Sequence, residues 1–227
     1  MADSQMKTEV SMKKLFSLAV AAVLITSAAS ASVILPQKKL VLNSSRGGET
    51  GNGGLGKFCK TADGKTIKSL DLYEAEFQEL KLVDATNKSV SEIVSDALAK
   101  LALADAGLAD EVKIWIAYFN ANKTTVKASK NTTDDAQFSL DMPGCKDVQI
   151  VNWLDSDEVL IYGDRYEMLS NLDKAAIELH EGIYRVFRGR CSEDDSYGTR
   201  MLVRRLLSVD KYSNEDIQDL IRVNCGR

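Results

Sequence analysis

One histidine is all the imidazole this chain of 227 residues contains. A zinc site built on two imidazoles one helical turn apart is therefore excluded, because both are needed as ligands. No C-x-x-C pair occurs, so the close cysteine spacing of small zinc modules is missing as well. The chain has no run of basic residues, and its formal net charge is −4. A mildly acidic chain of this kind has no electrostatic reason to bind nucleic acid or anionic lipid. There is no internal repeat, which excludes solenoids and propellers. Nor is there a long apolar run: residues 15–25 would cover only ~16 Å as a helix, about half of a bilayer core.

That short run belongs to a leader. Lys13 and Lys14 precede it, and Ala29-Ser30-Ala31 closes it with an A-x-A cleavage pattern. Residues 1–31 are therefore expected to be a signal peptide, with Met12 the natural start and residues 1–11 a misassigned extension. No cysteine follows the apolar run, so no lipid anchor is expected, and no stable membrane anchor remains after cleavage. Cleavage removes Lys7, Lys13 and Lys14 against Asp3 and Glu9, a net +1, which takes the charge from −4 to −5. The expected location is the periplasm or the exterior.

The four cysteines, Cys59, Cys145, Cys191 and Cys225, all lie beyond the leader. An even count in an oxidising compartment favours two disulfides, and three pairings are open. Cys59 with Cys145 and Cys191 with Cys225 is the pairing adopted as the expectation. Each bridge would add about 3–5 kcal/mol by closing a long loop.

Residues 32–56 read as a flexible glycine-rich segment. It is not a phosphate-binding loop, because Gly56-Lys57 is followed by Phe58 where a hydroxyl is needed. Residues 57–227 read as a single domain, and a hydrophobic fraction of 44% is enough for one real core. Residues 58–60 and 66–72 suggest a hairpin around Ala62-Asp63-Gly64. A helix is expected at residues 73–80. Ser89 with Glu92 forms a capping box for another, carrying Val90, Ile93, Val94, Ala97, Leu98 and Leu101 on one face. Gly107 is read as its end and Asp110 as the start of the next, which buries Val112, Trp115, Ile116 and Phe119. Residues 120–135 are polar and read as loop. Residues 149–153 and 159–162 are strand-like runs about an acidic turn, Asp155-Ser156-Asp157. Ser170 with Asp173 opens a long helix through Phe187, and helices at 197–207 and 213–223 follow. The fold class is α+β: a small sheet with several packed helices, stapled by disulfides.

His180 and Glu181 sit together on the long helix. Zinc peptidases present H-E-x-x-H in this way, with the glutamate activating water. Here the run is His180-Glu181-Gly182-Ile183-Tyr184, and the second ligand position is a phenol, a poor zinc ligand at neutral pH. On a hydrolase reading His180 is the metal ligand and Glu181 the catalytic base, with Glu193, Asp194 or Asp195 approaching from the next segment. Such a carboxylate-rich site suits calcium or magnesium better than zinc. On the competing reading His180 and Tyr184 pack at the core edge beside Ala176, Leu179, Ile183 and Phe187, and Glu181 pairs with Arg185. The arginines Arg185, Arg188, Arg190, Arg200, Arg204 and Arg205 interleave with Glu193-Asp194-Asp195. Interleaved signs favour an internal ion-pair network over a cationic groove for an anionic wall polymer.

The run from Leu179 to Arg185, then Asp195-Ser196 and an arginine-rich helix, resembles a family of uncharacterised exported proteins of predatory Gram-negative bacteria. The glycines before Phe58-Cys59 and the run Leu70-Asp71-Leu72-Tyr73-Glu74-Ala75 are similar to that family's N-terminal region. The resemblance implies a signal peptide, disulfides and a His-Glu helix, and implies no activity. The layout is also zincin-like, with Tyr184 departing from the zincin pattern. The expectation is a non-enzymatic binding or interaction protein that uses Tyr184, Arg185, Asp194, Asp195 and Arg200, with no cofactor. The alternative is a divergent metal-dependent hydrolase centred on His180 and Glu181, with zinc or another divalent cation. No partner is identified by these residues.

Overall fold

Ser69 ends a strand and opens a helix, and that junction sets the layout of the fold. The computed structural model describes residues 54–61, 64–127, 144–154, 158–193, 195–209 and 212–226. The expected leader, the glycine-rich stretch through residue 53, Ala62 and Asp63, residues 128–143, the expected acidic turn at 155–157, Asp194, residues 210–211 and Arg227 lie outside the described residues.

The elements run β1 (Leu55–Thr61), β2 (Gly64–Ser69), α1 (Leu70–Phe77), α2 (Val90–Ala104), α3 (Ala106–Asn122), β3 (Lys123–Val126), β4 (Cys145–Gln149), β5 (Val151–Trp153), β6 (Val159–Tyr162), α4 (Gly163–Tyr166), α5 (Asn171–Cys191), α6 (Tyr197–Leu206) and α7 (Asn214–Cys225). The α+β class holds, with two three-stranded sheets in place of one. The first has the order β2-β1-β4 and is antiparallel throughout. The second has the order β3-β6-β5, with β3 parallel and β5 antiparallel to β6.

Several boundaries differ from the sequence reading for local reasons. The hairpin forms, and Gly64 ends its turn at a φ of 138°, an angle open to glycine. Helix α1 starts at Leu70 because the Ser69 hydroxyl accepts the Leu72 N–H. Helix α3 starts at Ala106, since the Asp105 carboxylate caps the Leu108 N–H at 2.9 Å, and Gly107 is carried inside the first turn. The run 149–153 is two strands, because the N–H groups of Ile150 and Val151 both turn to the Gly54 carbonyl, at 3.0 and 3.1 Å. Strand β1 begins within the stretch read as flexible, and Gly54 is buried. Strand β3 falls in the expected loop; its exposed Lys-Thr-Thr pattern carries no buried face to signal a strand.

Helix α5 is buried on nearly every side. One face joins the helical core of α2, α3, α6 and α7 through Ala176, Leu179, Ile183 and Phe187. Ile177 joins a second core with Phe119, Val151, Trp153, Val159 and Ile161. Each Leu, Ile, Val or Phe among them contributes about 1.5–3 kcal/mol on burial. Gly182 permits the close approach of α3, for a Cβ there would stand 3.0 Å from the Val112 carbonyl and 2.7 Å from Ile116. The disulfides pair as expected. Cys59 and Cys145 are directly opposite across β1 and β4, and Cys191–Cys225 joins the ends of α5 and α7. No helix among the described residues is long and apolar enough to cross a membrane.

Candidate functional site

Because the middle of α5 is covered on all sides, its polar residues there must find partners inside the protein. Those partners come mainly from α1, which the hairpin delivers against α5 and α6. Asp71 and Glu74 lie three residues apart on α1, on neighbouring positions of one face, and both are buried.

Asp71 takes His180. The ring Nδ1 lies 3.0 Å from Asp71 Oδ1, and both residues are buried. A carboxylate at this place holds Nδ1 as the donor. Asp71 Oδ2 is buried and has no hydrogen-bond partner among the described residues. Glu74 takes two arginines on one oxygen: Arg200 Nε at 3.3 Å and Arg204 Nη1 at 3.0 Å from Oε2. Arg200 also donates to the Ser196 hydroxyl at 2.9 Å, and it is 2% exposed. Burial raises the pKa of Glu74, Asp71 adds to the rise, and the two guanidinium groups oppose it.

Glu181 lies on the other side of α5. It is 0% exposed, accepts the Gly54 N–H on Oε1 at 2.5 Å and accepts the Trp153 indole N–H on Oε2 at 2.5 Å. Burial is the largest influence on its pKa and raises it, against the pull of His180, Trp153, Gly54 and Arg185. Both oxygens of the expected base are thus engaged by groups that fix β1 and β5 to α5.

The remaining expected site residues are scattered. Tyr184 is buried, and its hydroxyl accepts from Arg188 at 3.4 Å. Arg185 lies with its guanidinium 3.7 Å over the Trp153 ring and 5.7 Å from that of Trp115. Asp195 is exposed and accepts the Tyr197 N–H at 2.8 Å, at the start of α6. Asp194 lies outside the described residues. Glu193 caps the same helix by accepting the N–H and hydroxyl of Thr199, and its pKa is raised mainly by burial, against the Thr199 and Gly198 hydrogen bonds and His180. Structure therefore brings Arg200 beside Glu74 and His180 beside Asp71, while Tyr184, Arg185 and Asp195 serve other contacts. No group of three or more His, Cys, Asp or Glu side chains among the described residues is arranged to hold a metal ion.

Four partners were not singled out from the sequence: Asp71, Glu74, Gly54 and Trp153. The only signal for the first two is a pair of acids at i and i+3 inside the apolar run Leu70, Leu72, Ala75. Comparison with family models, curated proteins and solved structures finds no match.

Proposed function

We propose that the chain is an exported, non-enzymatic binding or interaction protein, located in the periplasm or outside the cell. One observation carries the reading. Glu181, which stands where a zinc peptidase keeps its water-activating base, is wholly buried and gives each oxygen to an internal donor. A base must come within hydrogen-bond reach of substrate or water. Here the His-Glu pair clasps the hairpin, β5 and α1 to the central helix. Two formed disulfides favour an oxidising compartment.

The test is metal analysis and hydrolase assay of the purified mature protein, alongside cell fractionation with thiol labelling. The expected result is no stoichiometric metal, no hydrolysis of peptide or cell-wall substrates, and four blocked cysteines in the exported fraction. Stoichiometric zinc lost in His180→Ala, with peptide hydrolysis lost in Glu181→Gln, would establish the hydrolase instead.

A further inference from the structure

The end of α1 and the second half of α6 border an open cavity of about 70 Å³. Gln78, Leu80, Met201, Arg204, Arg205 and Tyr212 line it, and none of the six is acidic. That volume is enough for one small polar group.

Arg204 supplies the charge. Its side chain is only 4% exposed, and its ion pair with Glu74 is made through Nη1 to an oxygen that Arg200 already shares. A guanidinium carries five N–H donors in a planar fork. Arg204 has no other ion pair or hydrogen bond among the described residues. Two buried cations therefore share one carboxylate, and one of them lines an opening. Arg205 is held beside it, stacked 4.9 Å from the Tyr212 ring and donating to the Asp216 carbonyl at 2.7 Å. The Asp216 carboxylate is itself taken up by the Ser213 N–H and hydroxyl at the start of α7.

The backbone that completes the cavity is constrained. Glu79 adopts a φ of 58°, in the left-handed region that favours glycine. Its N–H bonds to the Glu76 carbonyl and the Leu80 N–H to the Ala75 carbonyl, which locks the end of α1 and seats Gln78 and Leu80 on the cavity wall.

We infer that this cavity is an oxyanion site, which takes the carboxylate or phosphate group of a small ligand or chain end on the Arg204 fork. Leu80, Met201 and the Tyr212 ring would flank the apolar part next to that group. The inference deepens the binding-protein reading by naming a ligand class. Its test is separate, since zinc and hydrolysis assays bear on that reading and anion titration bears on this cavity.

The experiment is calorimetric titration of the mature, disulfide-intact protein at low salt. The probes are inorganic phosphate, an N-acetylated dipeptide with a free carboxylate, and its C-terminal amide. Saturable binding of phosphate or the free acid, with no binding of the amide, is the expected result. Phosphate alone marks a phosphate site, and the free acid alone or with phosphate marks a carboxylate site. Arg205→Gln and Gln78→Glu, both outside the buried ion pair, should each weaken binding about tenfold while the circular dichroism spectrum stays unchanged. Arg204→Lys should weaken it further by losing the fork. No saturable binding of either anion, or binding indifferent to both Arg205→Gln and Gln78→Glu, would overturn the assignment.

Discussion

Glu181 and Gly54 are 127 residues apart in the chain, yet the carboxylate of one accepts the backbone N–H of the other at 2.5 Å. The contact requires glycine as well as glutamate, since a Cβ at Gly54 would stand 3.0 Å from Glu181 Oε1 and 2.7 Å from Ile177. It uses a buried carboxylate to hold the fold together. Glu181, one residue past the histidine, here faces the edge of a sheet.

Glu181→Ala should destabilise the fold by about 2–4 kcal/mol, because the Gly54 N–H and the Trp153 indole N–H both lose their acceptor inside the core. Glu181→Gln keeps one acceptor and turns an amide NH₂ toward the other donor, so it should cost roughly half as much. Chemical denaturation of the oxidised protein measures both. A loss below about 0.5 kcal/mol for the alanine variant would remove the clasp from the account of stability.

The pH dependence of stability carries a definite sign. Glu74, Glu181 and Glu193 all have pKa values raised by burial above 4.5. In the window from 4.5 upward to those raised values the folded state binds more protons than the unfolded chain, so stability falls as pH rises. Asp84, Glu92 and Asp216 act oppositely: their lowered pKa values add stability that is lost as pH falls through them. Melting temperature should therefore peak on the acid side and decline toward neutrality. Glu181→Gln should flatten the decline, and an unchanged slope in that variant would show that Glu181 is ionised throughout.

How much of this was legible in the chain depends on the range of the signal. Helix α2 announces itself through a capping box, Ser89 with Glu92, that is complete within four residues; the equivalent box of α7, Ser213 with Asp216, emerges from the structure. The hairpin and the strand β6 are local in the same sense. Ser170 and Asp173 give the same local signal, yet one Asp173 oxygen reaches out to the Ser69 N–H at 2.8 Å and ties α5 to the β2–α1 junction. His180 and Arg200 stood out as lone or clustered charges, but their partners lie 109 and 126 residues earlier, and no periodicity links such positions. The burial of the middle of α5 is equally illegible, because its polar residues imitate a solvated face until α1, Gly54 and Trp153 cover them.

The two bridges should differ in value. Cys59–Cys145 closes a separation of 86 residues and Cys191–Cys225 one of 34. Loop-closure entropy then assigns about 4.6 and about 3.8 kcal/mol respectively. Paired serine variants, unfolded in denaturant, should rank in that order. The reverse ranking would mean that residual structure in the unfolded chain, and not loop length, governs the effect.

Glu79→Gly should stabilise the protein by about 0.5–1 kcal/mol, since glycine occupies a φ of 58° without the Cβ penalty and the position lies just beyond α1. Thermal unfolding measures it. Destabilisation would mean that the Glu79 side chain makes a contribution larger than its backbone strain.

Glu74→Ala should be among the most damaging single changes. It leaves Arg200 and Arg204 buried side by side with their shared carboxylate gone, and breaking a buried pair from one end costs about 3–5 kcal/mol. The cost arises from stranded charge, not from a lost contact, and that distinction can be measured. Adding Arg200→Met to Glu74→Ala removes one of the two stranded cations while keeping the side-chain volume. The double variant should recover part of the lost stability, whereas simple additivity predicts a further fall. Strict additivity in the cycle would show that each arginine contributes through its own packing, and that the three residues do not act as a unit.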